Sequence, residues 1–207
     1  MTARPFVSVP EPAKYISVNG PLAYMAATMR AEARGEGEEG LRAVGCVIIN
    51  RSRNPRWWGH DITSVCTAPW QFSCWNPQEP SRPLLARLSA GDADAQMDVD
   101  FQCALVIAKD LVLNYRDITG NADCYANLSL VSPNWADPSK VTVVIGHHTF
   151  FALELKPSAS LAESSVKPSP GERVNSPPAS EPPSVVVVAG PQLTAQILSN
   201  EATSLGG

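Results

Sequence analysis

The chain has 207 residues and sets 16 Lys and Arg against 20 Asp and Glu, a net charge of −4. That length allows one ordinary domain with a buried core and some chain to spare, and the acidic balance, with no basic run to track phosphates, argues against nucleic acid as a partner. No apolar run approaches the ~20 residues of a membrane helix, and "MTARPFVSVPEPAKYISVNG" lacks the charged, then apolar, then small-residue order of an export signal, so the expectation is a cytoplasmic protein without membrane insertion.

Residues 1–20 read as an N-terminal extension. Pro21 suits a first helical turn, and Leu22, Met25, Ala26, Met29 and Ala33 recur at helical spacing, predicting a helix from Pro21 to Arg34. Gly35 and Gly37 end it. Leu41, Val44, Val47 and Ile48 then mark a second helix from about Glu38 to Ser52, joined to the first so tightly that the two should pack together. "DITSVCTA" predicts a short helix with Asp61 as N-cap, closed before Pro69, and "WQFSCWNPQEP" an irregular loop. Phe101, Ala104, Leu105, Ala108, Leu111 and Val112 mark a third long helix, Asp98 to Tyr115, with Asp94 and Asp98 serving its start.

Two β-leaning stretches follow, "DCYANLSLV" and "KVTVVIGHHTFFAL", with the turn-rich "SPNWADPS" between them; they are expected to pair antiparallel. Helices first and a small sheet late indicate an α+β domain, mostly helical, with a β-hairpin as one wall of a groove. All fourteen aromatic residues lie at or before Phe151, and "KPSASLAESSVKPSPGERVNSPPASEPPS" is too poor in apolar residues to fold by itself. The folded domain is therefore expected over 21–156, and 157–207 as a Pro/Ser-rich flexible tail that could dock on a partner. Cys46, Cys66, Cys74, Cys103 and Cys124 contain no CxxC pair, so most read as small buried hydrophobes; Cys66 and Cys74 flank one loop and could pair in an oxidising compartment.

Glu32 is the first chemical candidate. It sits in the last turn of an apolar helix, beside Ala33 on the packed face, where burial would raise its pKa as a general acid requires; a local cap or a pair with Arg30 or Arg34 is the plainer alternative. Glu36, Glu38 and Glu39 suit the N-terminus of the second helix and read as structural. His147 and His148 would point to opposite sides of a strand, one inward. With His60 the only other histidine, no metal site and no cofactor are expected. Trp57, Trp58, Trp70, Trp75 and Trp135 fall largely in loops, where flat rings either pack or stack on sugar faces.

Three blocks, "AEARGEGEEGLRAVGCVIINR", "ITSVCTAPWQFSCW" and "CYAN" through "NW" to "IGHHTFF", together resemble the SleB-like cell-wall hydrolase family, which includes spore-cortex-lytic enzymes and many phage endolysins. The resemblance spans about Leu22 to Phe151. It implies a lysozyme-like α+β fold, cleavage of the β-1,4 bond between N-acetylmuramic acid and N-acetylglucosamine, and Glu32 as the catalytic residue. As in a lytic transglycosylase, one carboxyl group would serve as acid and then as base. Gln71, Phe72 and Ser73 match a groove-lining loop, Tyr125 and Asn127 a strand, and His148 the histidine before the final aromatic pair, implying contacts with the sugar; Trp135 in the same block joins them as a stacking candidate. Cys124 departs from the pattern, where a polar or histidine-like residue is expected before the tyrosine. The resulting expectation is a monomeric phage endolysin that waits in the host cytoplasm and reaches peptidoglycan glycan strands after release. A hydrolytic muramidase using Glu36 or Asp61 to help water is one alternative, and a non-catalytic murein-binding or virion structural protein another.

Overall fold

The computed structural model describes residues 17–157. Most of the expected N-terminal extension, and the expected tail beyond its first residue, lie outside the described residues. The domain is α+β, with five helices, α1 (Pro21–Glu32), α2 (Gly37–Arg53), α3 (Ile62–Thr67), α4 (Arg82–Ser89) and α5 (Val99–Leu113), and three short strands, β1 (Cys124–Ala126), β2 (Val141–Ile145) and β3 (His148–Phe151). No described helix is long and apolar enough to cross a membrane.

The predicted helices form for the expected reasons. Pro21 opens α1, and Met25, Ala26 and Met29 are fully buried along it. Glu38 and Glu39 occupy the first turn of α2 and Arg51 and Arg53 its last, both favourable to the helix dipole. Asp61 and Ser64 make a reciprocal capping box at α3, and Asp98 accepts from the Phe101 amide to start α5; such caps contribute about 1 kcal/mol each. Asp98 also takes a two-pronged bond from Arg30 at 2.7 and 2.6 Å, tying α5 to α1. Helix α4, absent from the sequence reading, is short, and of its apolar residues only Leu85 and Leu88 are fully buried.

Helices α1, α2 and α5 meet where Gly45 of α2 faces Leu111, Met29 and Met25 so closely that a Cβ there would stand 2.5 Å from the leucine. This three-helix contact is the centre of the main core, which extends to Tyr125, Ile145 and Phe150 on one face of the sheet. A smaller cluster of Cys124, Ala126, Trp135 and Phe151 covers the other face.

The sheet corrects one expectation. "KVTVVIGHHTFFAL" is not a single strand beside "DCYANLSLV"; it is itself a hairpin, and the strand order is β1-β3-β2, both pairings antiparallel. Gly146 turns it with φ of +57°, a conformation glycine adopts without a Cβ penalty. His147 therefore lies in the turn and is exposed, while His148 begins β3 and is buried. The turn is fastened to α2, since the Glu36 carboxylate accepts the His147 amide at 2.9 Å and faces its ring Nδ1 at 3.0 Å. Partial burial works to raise the Glu36 pKa, but the two His147 contacts outweigh it and hold the carboxyl below its ordinary value. The fastening thus persists above the ordinary carboxylate range and is lost only as pH falls through the lowered pKa of Glu36.

A Cβ at position 146 would stand 2.0 Å from Glu36 Oε2. Gly146→Ala should therefore cost about 1–3 kcal/mol, combining backbone strain with a displaced carboxylate. Thermal or chemical denaturation checks this, and an unchanged midpoint would show that the turn relaxes freely.

Candidate active site

Glu32 ends α1 on the same stripe that buries Met25 and Met29, so its side chain leaves the helix toward the core rather than toward water. Part of the residue's surface stays open to solvent. Three protein donors reach its carboxyl group. On Oε1 the Ser73 hydroxyl and the Cys74 backbone N–H each donate at 3.1 Å, and on Oε2 the Tyr125 hydroxyl donates at 3.0 Å. The turn Ser73–Trp75 supplies two of these donors and β1 the third, so the carboxyl bridges the loop after α3 and the sheet.

Burial raises the Glu32 pKa above its ordinary value, although the bonds from Cys74, Tyr125 and Ser73 favour the charged form and oppose the shift. Tyr125 and Cys74 are themselves pushed well up, first by burial and then by the neighbouring Glu32 charge, and burial lowers His148. At neutral pH the phenol, the thiol and a neutral imidazole keep their protons fixed. Glu32, whose raised pKa makes it hold its proton more tightly than an ordinary carboxyl group, is the member of this cluster suited to giving one up and taking it back.

The other predicted residues divide by position. His148 sits on the same sheet face as Tyr125 and packs edge-on against it, ring centroids 5.0 Å apart, with its Nδ1 buried and without a hydrogen-bond partner among the described residues. Gln71 and Phe72 were expected to line the groove, but both are buried. Gln71 accepts from Arg51 Nη1 at 3.4 Å and Phe72 lies beneath the Arg51 guanidinium at 5.4 Å, because the loop uses them to seat that buried cation. Asn127, just after β1, spends its carbonyl oxygen on the amide and hydroxyl of Ser129, a turn-forming role. Trp135 packs against Phe151 on the sheet face away from Tyr125, buried in the small cluster, so packing rather than sugar stacking accounts for it. Among the tryptophans Trp57 is exposed and Trp58 fully buried, and Trp75 is turned toward α1, its Nε1 donating to Thr28.

Two supporting residues escaped the sequence reading. Thr28, one turn before Glu32, holds the Trp75 end of the turn whose other residues hold the carboxyl. Arg51 is fully buried; it donates to the Asp123 carbonyl at 2.6 Å, to Gln71, and to Cys124 Sγ at 3.7 Å. It could have been found, since 44, 47, 48 and 51 form one apolar helical stripe and a charge on such a stripe needs partners. Cys124, the departure from the family pattern, is buried in β1 with its Sγ facing the Arg51 guanidinium. All five cysteines are free thiols, Cys103 exposed and the others buried. No metal-holding cluster occurs among the described residues.

A sequence profile described as Cell Wall Hydrolase matches residues 35–151, more than half of the chain. The chain belongs to the cell wall hydrolase family. The matched segment contains Ser73, Cys74, Tyr125 and His148 and begins just after Glu32, so it covers the residues that hold the carboxyl group. The catalytic domain of the germination-specific lytic transglycosylase SleB from Bacillus anthracis is similar in structure at 24% identity and a TM-score of 0.46, over 69% of this chain and 99% of that domain. No curated protein matches the chain. As a cell wall hydrolase the chain is a peptidoglycan-degrading enzyme, and the expected resemblance holds at the level of the family.

Proposed function

We propose that this cell wall hydrolase cleaves the β-1,4 bond between N-acetylmuramic acid and N-acetylglucosamine as a lytic transglycosylase, with Glu32 as its one acid and base. The observation that carries the reading is the Glu32 carboxyl itself, made a better proton holder by burial and reached by three donors. In the first step Glu32 gives its proton to the leaving oxygen of N-acetylglucosamine as the C1–O bond breaks. The hydroxyl of Ser73, the amide of Cys74 and the hydroxyl of Tyr125 then stabilise the new carboxylate. In the second step the 6-hydroxyl of muramic acid attacks C1, and its proton returns to Glu32. A 1,6-anhydro ring closes with no net consumption of water and no second carboxylate.

The two carboxylates that could have assisted water are occupied elsewhere. Glu36 is engaged with His147, and Asp61 caps α3. Mass spectrometry of digested murein tests the reading. Anhydro-muramic ends are expected; reducing ends would replace transglycosylation by hydrolysis, and binding to sacculi without soluble fragments would leave a murein-binding or virion structural protein.

The reading extends to host lysis by a phage, with a monomeric enzyme held in the host cytoplasm until a separate factor opens the membrane. What supports it is the resemblance of the three sequence blocks to a family that includes phage endolysins. Lysis of an expressing bacterium without any permeabilising factor would overturn the cytoplasmic wait.

A further inference from the structure

We propose that the cleft between α1, the Ser73–Trp75 turn and the start of α4 is a subsite for the charged stem peptide attached to muramic acid. The inference rests on the peptidoglycan reading and adds a substrate group to it. Tyr24, Thr28 and Glu32 follow one another at four-residue spacing, so they share a stripe of α1, with Thr28 about 6 Å and Tyr24 about 12 Å from Glu32 along the axis. Trp75 is bound to this stripe twice. Its Nε1 donates to Thr28 Oγ1 at 2.9 Å, and its ring tilts against Tyr24 with centroids 5.4 Å apart. A single three-residue turn therefore offers Ser73 and Cys74 to the Glu32 carboxyl and Trp75 to the cleft.

The cleft has a volume of about 520 Å³ and is lined, beyond the two aromatics, by Glu79, Arg82 and three prolines. That is space for a few residues of peptide. Prolines 77, 80 and 83 stiffen the wall, and the Arg82 amide bonded to the Glu79 carbonyl holds the two charged residues in one turn. Glu79 accepts one hydrogen bond, from Ser81, and neither Glu79 nor Arg82 has an ion-pair partner among the described residues.

Charge decides which part of the substrate belongs there. The glycan backbone presents neutral hydroxyl and acetamido groups, which can hydrogen-bond to either side chain but complement neither charge. The stem peptide carries carboxylates and, on its diamino acid, a free amine. Arg82 matches the first and Glu79 the second. The peptide leaves from the muramic acid whose C1 is attacked, so it starts one sugar's width from Glu32.

The experiment compares kcat/KM of the full chain on glycan strands that bear tetrapeptide stems and on the same strands stripped by an amidase. The wild type is expected to favour stem-bearing strands by about tenfold, as one well-placed charge-assisted contact supplies. That ratio should fall toward one in Arg82→Gln and fall part-way in Glu79→Gln. A ratio near one in the wild type, or one unchanged in both variants, overturns the subsite. Should the wild type release nothing from either strand, it is the cleavage reading that fails. The cleft is then decided by titrating free tetrapeptide against the Trp75 indole N–H resonance: a shift that Arg82→Gln abolishes supports it, and no shift overturns it.

Discussion

Glu32→Gln is expected to lower glycan cleavage by about 10²–10⁴-fold and, at neutral pH, to make the domain more stable by about 1 kcal/mol. The two effects have one origin. Burial raises the pKa of the carboxyl in the folded state, so the native protein holds the Glu32 proton more tightly than the unfolded chain does. The stability this proton contributes is complete below the ordinary carboxylate range, about pH 4, and is lost as pH rises through the raised folded pKa. Glutamine has the same shape and no charge to desolvate. Its oxygen can accept from Ser73 and Cys74 as Oε1 does, while the Tyr125 hydroxyl can rotate to accept from the new amide. Denaturation of the two proteins side by side should thus coincide near pH 4 and separate in favour of the variant above it. Cleavage by the wild type should decline over that same rise, because the first step needs the protonated acid. A variant less stable than the wild type at neutral pH would mean the carboxylate is well satisfied where it lies, and full activity would remove Glu32 from the mechanism.

The largest loss of stability is expected at Arg51. Replacing it with Met should cost about 2–5 kcal/mol, since the Asp123 carbonyl and the Gln71 oxygen are left as buried acceptors without a donor, each costing about 1–3 kcal/mol. The Asp123 carbonyl and Gln71 would lose this donor, and the Phe72 and Trp58 rings, 5.4 and 5.6 Å from the guanidinium, would lose its charge. The consequence reaches the chemistry by one step. Gln71 and Phe72 immediately precede Ser73 and Cys74, so a loop released from Arg51 no longer holds two of the three donors to Glu32. A shift in denaturation midpoint equivalent to less than 1 kcal/mol would show that methionine packing replaces the cation, and the seat assigned to Gln71 and Phe72 would need another explanation.

Glu32 and Arg51 also show what was legible in the sequence. Both occupy apolar stripes of regular helices, where a 3.6-residue period makes an ionisable group conspicuous, and the period was strong enough to place α1, α2 and α5 near their observed bounds, while a cap and a proline placed α3. Asp61 and Asp98 were readable as caps because an N-cap is a local arrangement. Apart from the antiparallel pairing of 124–126 with the 141–151 segment, what stayed hidden was the relation between segments far apart in the chain. The side chains of Gln71, Phe72 and Trp135 carry no local mark that separates a sugar contact from a buried packing role, and the fold assigned all three to packing. The hairpin 141–151 reads as one strand because Gly146 and His147 interrupt its apolar run only briefly. The Glu36 contact with His147 spans 111 residues, so an acid that composition assigns to the helix dipole turns out to hold a β-turn.

The ends of β3 are fastened unequally. Beyond its C-terminal end, the Asp123 carboxylate, which is fully buried, accepts the consecutive amides of Leu153, Glu154 and Leu155, while the Asp123 amide donates to Phe151. At its start the fastening is Glu36 on an exposed His147. Unzipping of the sheet should then begin at the hairpin tip and stop short of Asp123, so amide hydrogens around 145–147 should exchange with solvent well before those of 151–155. The opposite order would show that the buried clamp is the weaker one. On that expectation the sheet opens like a door hinged at its buried end, and the leaf that swings is the one carrying His148 against Tyr125.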